Sequence, residues 1–199
     1  MPLHREDYPA GYSGATVRRM DGNGGGAPEL IGALSVLGEQ FDVQLAVEIS
    51  GLAPPDLLQD LDKAQGKGLL AVERGLVRFA PGTRDRAYDA LGSHGQATAH
   101  AHAAATLERV RPNDLAGIAE QRAGAVAVMG VDQALTALDD AAYAAERAFD
   151  WERAAPLWQR AAEVAARGHD RRAGPLAIRR ARCLFRAGCG YSGLARPTV

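Results

Sequence analysis

The hydrophobic period of this chain changes once, and that change limits what it can fold into. Downstream of Pro28, apolar residues recur every three or four positions, as they do on helices. Between Gly68 and Phe79 they instead form two strand-length runs, 69–72 and 76–79, hinged at Glu73-Arg74-Gly75. Three helical patterns precede this hairpin. Leu30, Ile31, Leu34 and Leu37 make the first, which stops at Gly38. The second follows Asp42 with Val43, Leu45, Ala46 and Ile49 and ends at Ser50-Gly51. The third follows Ala53-Pro54-Pro55, has Leu57, Leu58, Leu61 and Ala64 as its stripe, and ends at Gly66. Three helices and a hairpin in this order predict a winged-helix domain over 28–92.

Pro81-Gly82 breaks the chain, and helices are predicted over 84–91 and 95–110. After Arg111-Pro112 the pattern is helical throughout, with spans 115–128, 132–147, 151–166 and 175–187 joined by short turns at Gly130, Asp150 and Gly168-His169-Asp170. Alanine is dense from Gln96 to Ala187 and aromatics are scarce at 6%, which favours closely packed helices over a sheet. In "DWERAAPLWQRAAEVA", Ala154, Trp158 and Ala161 have the small–aromatic–small spacing of a tetratricopeptide-like helix. Leu138, Ala141, Ala142 and Ala145 supply a matching small-residue face. Residues 93–187 are therefore predicted to be antiparallel helical repeats of that type, so the fold class is mainly α. Glycine-rich residues 1–27 read as a flexible leader and 188–199 as a disordered tail. No partner helix follows Ala187, so the array reads as cut short.

Charge narrows the function. The net charge of −1 gives no general attraction to nucleic acid or to an anionic membrane. The third helix carries Asp56, Asp60 and Asp62 against Lys63 alone, and the hairpin offers only Arg74 and Arg78. Three carboxylates would repel a polyanion, so direct DNA reading is not expected from this segment. Arg167, Arg171, Arg172, Arg179, Arg180, Arg182 and Arg186 crowd together near the end. They read first as a solvated helix face that a further repeat would partly cover, and otherwise as a basic patch. Trp158, Arg172, Arg179, Arg182 and Arg186 are the candidate contact residues for a protein partner or small-molecule inducer. Cys183 and Cys189, the only cysteines, form no disulfide framework, and His100 and His102 are two apart, pointing to different sides of a helix. No catalytic constellation or metal site is legible, so the expectation is a protein that is not an enzyme and holds no metal. With no signal core and no spanning run, the expected compartment is the cytoplasm.

The stretches "VLGEQFDVQLAVEISGL", "LLQDLDKAQGKGLLAVERGLVRFAPGTRDRAYDAL" and "HAHAAATLERV" together resemble the segment after the ATPase core in large bacterial LuxR-type, MalT-like regulators of the signal-transduction ATPase class. Similar segments occur in ATPase-linked adenylate cyclases. The resemblance covers about residues 30–187 and implies a winged helix that packs on a nucleotide domain, followed by repeats that sense an inducer or partner. It implies ATP only for the ATPase domain, which this chain does not resemble: Gly66-Lys67 is followed by Gly68, not by Ser or Thr. Members often carry a histidine shortly after the hairpin's Phe, where this chain has Ala80-Pro81. His100 matches a histidine common in the next helix, with a structural role implied. The main expectation is a regulatory interaction module in truncated form, and the alternative is a small standalone DNA-binding regulator.

Overall fold

The computed structural model describes residues 27–188. Apart from Ala27 and Gly188, the leader expected over 1–27 and the tail expected over 188–199 lie outside the described residues. The described chain is mainly helical, with ten α-helices and one three-stranded antiparallel sheet. It divides into two units, Met1–Ala90 and Leu91–Val199. Among the described residues no helix is long and apolar enough to cross a membrane.

In unit 1, α1 (Ala27–Leu34) runs into a 3-10 turn at Ser35–Leu37, and strand β1 (Gln40–Asp42) follows. The Asp42 carboxylate then caps α2 (Val43–Ser50), accepting the Leu45 N–H at 2.7 Å. Helix α3 (Pro54–Gly66) starts on two prolines, whose missing N–H groups cost nothing in a first turn. It ends in a Schellman turn: the Leu69 N–H reaches the Ala64 carbonyl and the Gly68 N–H reaches Gln65. Gly68 sits at φ 69 there, where a Cβ would be strained. Strands β2 (Leu70–Glu73) and β3 (Leu76–Phe79) are joined by Arg74-Gly75 at φ 51 and 78. Two positive φ values in a two-residue loop match the twist of a hairpin.

The sheet order is β1-β3-β2, and Val77 of β3 sits opposite both Phe41 and Val72. Strand β1 is an addition to the sequence expectation, and β2 starts one residue later than expected. Helix α4 (Thr83–Ala90) is tied back by the Arg84 Nε–H, which donates to the Ser35 carbonyl at 3.1 Å. The core is made of large side chains: Leu34, Leu57, Leu61 and Val77 are wholly buried, and Phe41 meets Phe79 edge-on.

Unit 2 contains α5 (Gly92–Val110), α6 (Leu115–Gly124), α7 (Val126–Met129), α8 (Val131–Arg147), α9 (Trp151–Arg167) and α10 (Ala173–Arg186). The single helix expected over 115–128 is broken at Ala125. Its N–H is shared by the Gln121 and Arg122 carbonyls, which tightens the last turn of α6. His100 is half-buried; its Nδ1 lies 2.8 Å from Gln121 Oε1, and its ring fills the space a Cβ on Gly124 would need. The core is dense in alanine, with Leu135, Leu138 and Trp158 among the few large members. Helix α9 packs against both α8 and α10.

The two turns flanking α9 are built alike. The Asp150 N–H reaches the Ala145 carbonyl and the Phe149 N–H reaches Glu146. Twenty residues later, Asp170 reaches Ala165 and His169 reaches Ala166. Both are Schellman turns with a left-handed residue, Phe149 at φ 60 and His169 at φ 52, where glycine is the usual choice. An aspartate follows in each: Asp150 accepts the Arg153 N–H and Asp170 accepts the Arg172 N–H.

Candidate interaction surface

Helices α8 and α10 both pack on α9, and long side chains bridge the space between them. Seven-residue spacing keeps Asp132, Asp139 and Glu146 on one face of α8, because seven residues are close to two full turns. Arg172, Arg179 and Arg186 repeat that spacing on α10 and in the turn before it. Each arginine stands forty positions after one of the acids. The Arg172 guanidinium pairs with Asp132 and also holds Asp170 at 2.6 Å. Arg179 lies over two rings, Tyr143 at 4.8 Å and Trp158 at 4.9 Å from their centroids, and Arg186 covers Trp151 at 4.6 Å.

Trp158 forms the floor of this ladder. It is 0% exposed, meets Tyr143 edge-on at 5.1 Å, and donates its Nε1–H to Glu146 Oε1 at 2.6 Å. The same oxygen accepts the Cys183 S–H at 3.3 Å. Expecting Trp158 as a contact residue is therefore corrected: its indole fills the gap between three helices and no partner can touch it. Its bound neighbour Arg179, half-buried above it, is the group that meets solvent.

The electrostatics follow from these contacts. Burial pushes the Cys183 thiol up to about 11, reinforced by Glu146, so it stays protonated and inert as a nucleophile. The Arg172 guanidinium, helped by the Arg172 backbone N–H, pulls Asp170 down to about 2, and the contacts with Asp170 and Asp132 raise Arg172. Asp139 shifts the other way. Burial raises it more than Arg179 and Arg172 lower it, and its Oδ1 is buried with no hydrogen-bond partner. Glu120, on α6, is also raised, first by burial.

Four of the five expected contact residues, Trp158, Arg172, Arg179 and Arg186, thus share one ladder. Arg182 does not: it stands exposed on the outer side of α10 and, like Arg180, holds no ion pair among the described residues. Sequence reasoning left out Asp132, Asp139, Tyr143 and Glu146. The seven-residue spacing of the three acids was visible, but it acquires meaning only when α8 and α10 are neighbours. Among the described residues no three His, Cys, Asp or Glu side chains gather as a cation would need.

In unit 1, the exposed side of α3 presents Asp56, Leu58, Gln59 and Asp62, while Lys63 is tied to Asp60 at 2.8 Å. Arg78 is held by Gln40 across the sheet at 2.9 Å. No known protein family, curated protein or solved structure matches this chain.

Proposed function

We propose that this chain is a non-enzymatic regulatory interaction module, a winged-helix-like unit followed by tetratricopeptide-like hairpins. In this reading it corresponds to the region after the ATPase core in LuxR-type signal-transduction ATPase regulators. The observation that carries the proposal is the repeated turn. The same Schellman geometry recurs at 149–150 and 169–170, each with an aspartate that accepts a backbone N–H, Asp150 as the cap of α9 and Asp170 within the turn before α10, and it joins α8, α9 and α10 as successive packed helices. Such a stack presents a surface of side chains for a protein or a small inducer and needs no reacting group. The strand order β1-β3-β2 with α3 before the hairpin supports the winged-helix-like half.

The DNA-reading alternative draws less support. The acids on the exposed side of α3 oppose a phosphate backbone, and Lys63, its one basic residue, is already paired with Asp60.

Cross-linking mass spectrometry on native lysate tests the proposal. The expected result is cross-links from the helices over 113–188 to a protein partner, and from unit 1 to a polypeptide segment carrying a phosphate-binding loop. Cross-links to neither would overturn it, as would duplex binding by the chain with a steep salt slope.

A further inference from the structure

One residue, Leu91, separates α4 from α5, and it stands at the border of the two units. Its own backbone is right-handed helical, φ −67 and ψ −25, where a residue that opens a helix is ordinarily extended. The break is made at Gly92, which sits at φ 64 and is the only left-handed residue described between 83 and 110. A Cβ on Gly92 would meet no atom within 4 Å, so close packing is not what holds this residue left-handed. Asp42, Asp114 and Asp150 cap the starts of α2, α6 and α9. Helix α5, the longest at 19 residues, has no side-chain cap, and the leucine in its cap position is a residue suited to a helix interior. Gly95 serves the broken form instead. A Cβ there would lie 3.2 Å from the Leu91 Cβ, whereas residues four apart in an unbroken helix keep theirs about 5–6 Å apart.

We infer that Leu91-Gly92 is a two-state joint: in one state α4 and α5 are broken apart at Gly92, and in the other Gly92 turns right-handed and residues 83–110 run as one helix. Glycine makes the two states comparable, because it takes positive and negative φ about equally readily. The joined state gives partners to the N–H groups that open α5 and to the carbonyls that close α4, which a helix end leaves unbonded within the helix. The broken state is served by Gly95, which leaves room for Leu91. The joint lies on the covalent connection between the two units. A ligand on either unit that fits one state better therefore shifts the population met by the other unit. The joint is a property of this chain alone and does not depend on the interaction-module reading.

Double electron–electron resonance on the full chain tests the joint. Spin labels are carried on a ketone-bearing amino acid placed at Asp89 and Ala105, which spares the cysteines. An unbroken helix separates these sites by about 24 Å, at about 1.5 Å per residue, and a break shortens that. The parent is expected to show both separations. Gly92→Ala disfavours the left-handed state and should move the ratio of the two populations roughly tenfold toward the longer one. Gly95→Ala should act in the same direction, because its methyl crowds Leu91 only in the broken form. Gly92→Asn, whose side chain tolerates the left-handed region, should stay close to the parent. Neither alanine variant should melt below the parent.

One and the same separation in the parent and all three variants overturns the inference, because the joint then has a single state. So does a pair of alanine variants that keep the shorter separation and melt at lower temperature, since the break is then fixed by the fold. If every substitution at residue 92 lowers the melting temperature, the comparison between them still decides. A longer separation in Gly92→Ala than in Gly92→Asn supports two states, and equal separations overturn them. Failure of the lysate cross-links would remove the module reading and leave the joint standing.

Discussion

Unit 1 fills its interior with branched and aromatic side chains: Leu30, Leu34, Ile49, Leu57, Leu61, Val77 and Phe79. Unit 2 fills most of its interior with alanine, at 101, 103, 104, 119, 134, 142, 154, 161 and 165, and places one large aromatic, Trp158, where three helices would otherwise leave a gap. The first strategy buries much apolar area per residue and tolerates elements that meet at varied angles. The second draws helix axes close together, so that backbone and short side chains make the contact. The two interiors should therefore fail in opposite ways: the first by cavities, the second by crowding.

The exception inside unit 2 gives the largest expected effect. Trp158→Ala removes the one side chain that fills the α8–α9–α10 gap and leaves Glu146 without its indole donor. The loss should be about 3–5 kcal/mol, at the upper end of large-to-small substitutions. Urea unfolding followed by far-UV circular dichroism reads it, and a loss near 1 kcal/mol would mean that the alanine faces alone hold the stack. In unit 1, Leu61→Ala at a wholly buried site should cost about 2–4 kcal/mol by the same cavity logic.

Crowding is the opposite perturbation. Ala161 is wholly buried on α9, and Ala161→Val adds two methyl groups inside that interior. A loss of about 1–3 kcal/mol is expected. Trp151 and Trp158 are the chain's two tryptophans, so intrinsic fluorescence reports unit 2 directly. A neutral or stabilised variant would show slack between the helices and end the contrast drawn with unit 1.

How much of this was legible beforehand depends on where the information lies along the chain. Helices α2, α3, α8 and α9 announced themselves because their stripes are local. The hairpin did as well, through Arg74-Gly75. Strand β1 did not: it has three residues, one of them apolar (Phe41), and it exists only by pairing with Val77 and its neighbours far along the chain. The candidate surface shows the same division. The arginines were visible as a cluster, yet which of them face acids and rings and which face solvent is decided by the packing of α10 on α9. Trp158 stood out in the sequence by its spacing to Ala154 and Ala161, and the same spacing that buries it removes it as a contact.

A smaller effect probes the ladder. Burial holds the Asp139 carboxyl above its ordinary range, so the folded state favours the protonated form. The stability this group contributes is therefore full below its unfolded pKa and is lost as pH rises through the higher folded value. Asp139→Asn removes that loss. At pH 7 the variant should be more stable than the parent, and the difference should shrink as the solution is acidified toward pH 4. Arg179→Gln should push the Asp139 titration, followed by carbon-detected NMR, still higher, because Arg179 lowers it in the parent. A downward move would show that the ladder is not coupled as its geometry implies.

The smallest expected effect compares one turn in the two units. The Schellman turn after α3 uses Gly68 at its left-handed position, whereas the same turn after α8 uses Phe149, 77% exposed, with Trp151 edge-on at 6.0 Å. Three terms act on Phe149→Gly. Relief of the left-handed strain stabilises by about 1–2 kcal/mol, and loss of the aromatic pair costs about 0.5–1 kcal/mol. The greater freedom of glycine in the unfolded chain costs about 0.5–1 kcal/mol. They nearly cancel, so deleting this aromatic should change stability by no more than about 0.5 kcal/mol in either direction, against the several kcal/mol expected at Trp158. Two aromatics nine residues apart would then differ about tenfold in what their removal costs, one being the floor of the stack and the other spare surface. A large destabilisation by Phe149→Gly would instead place Phe149 among the side chains that hold α8, α9 and α10 together, and the all-alanine account of those contacts would have to yield.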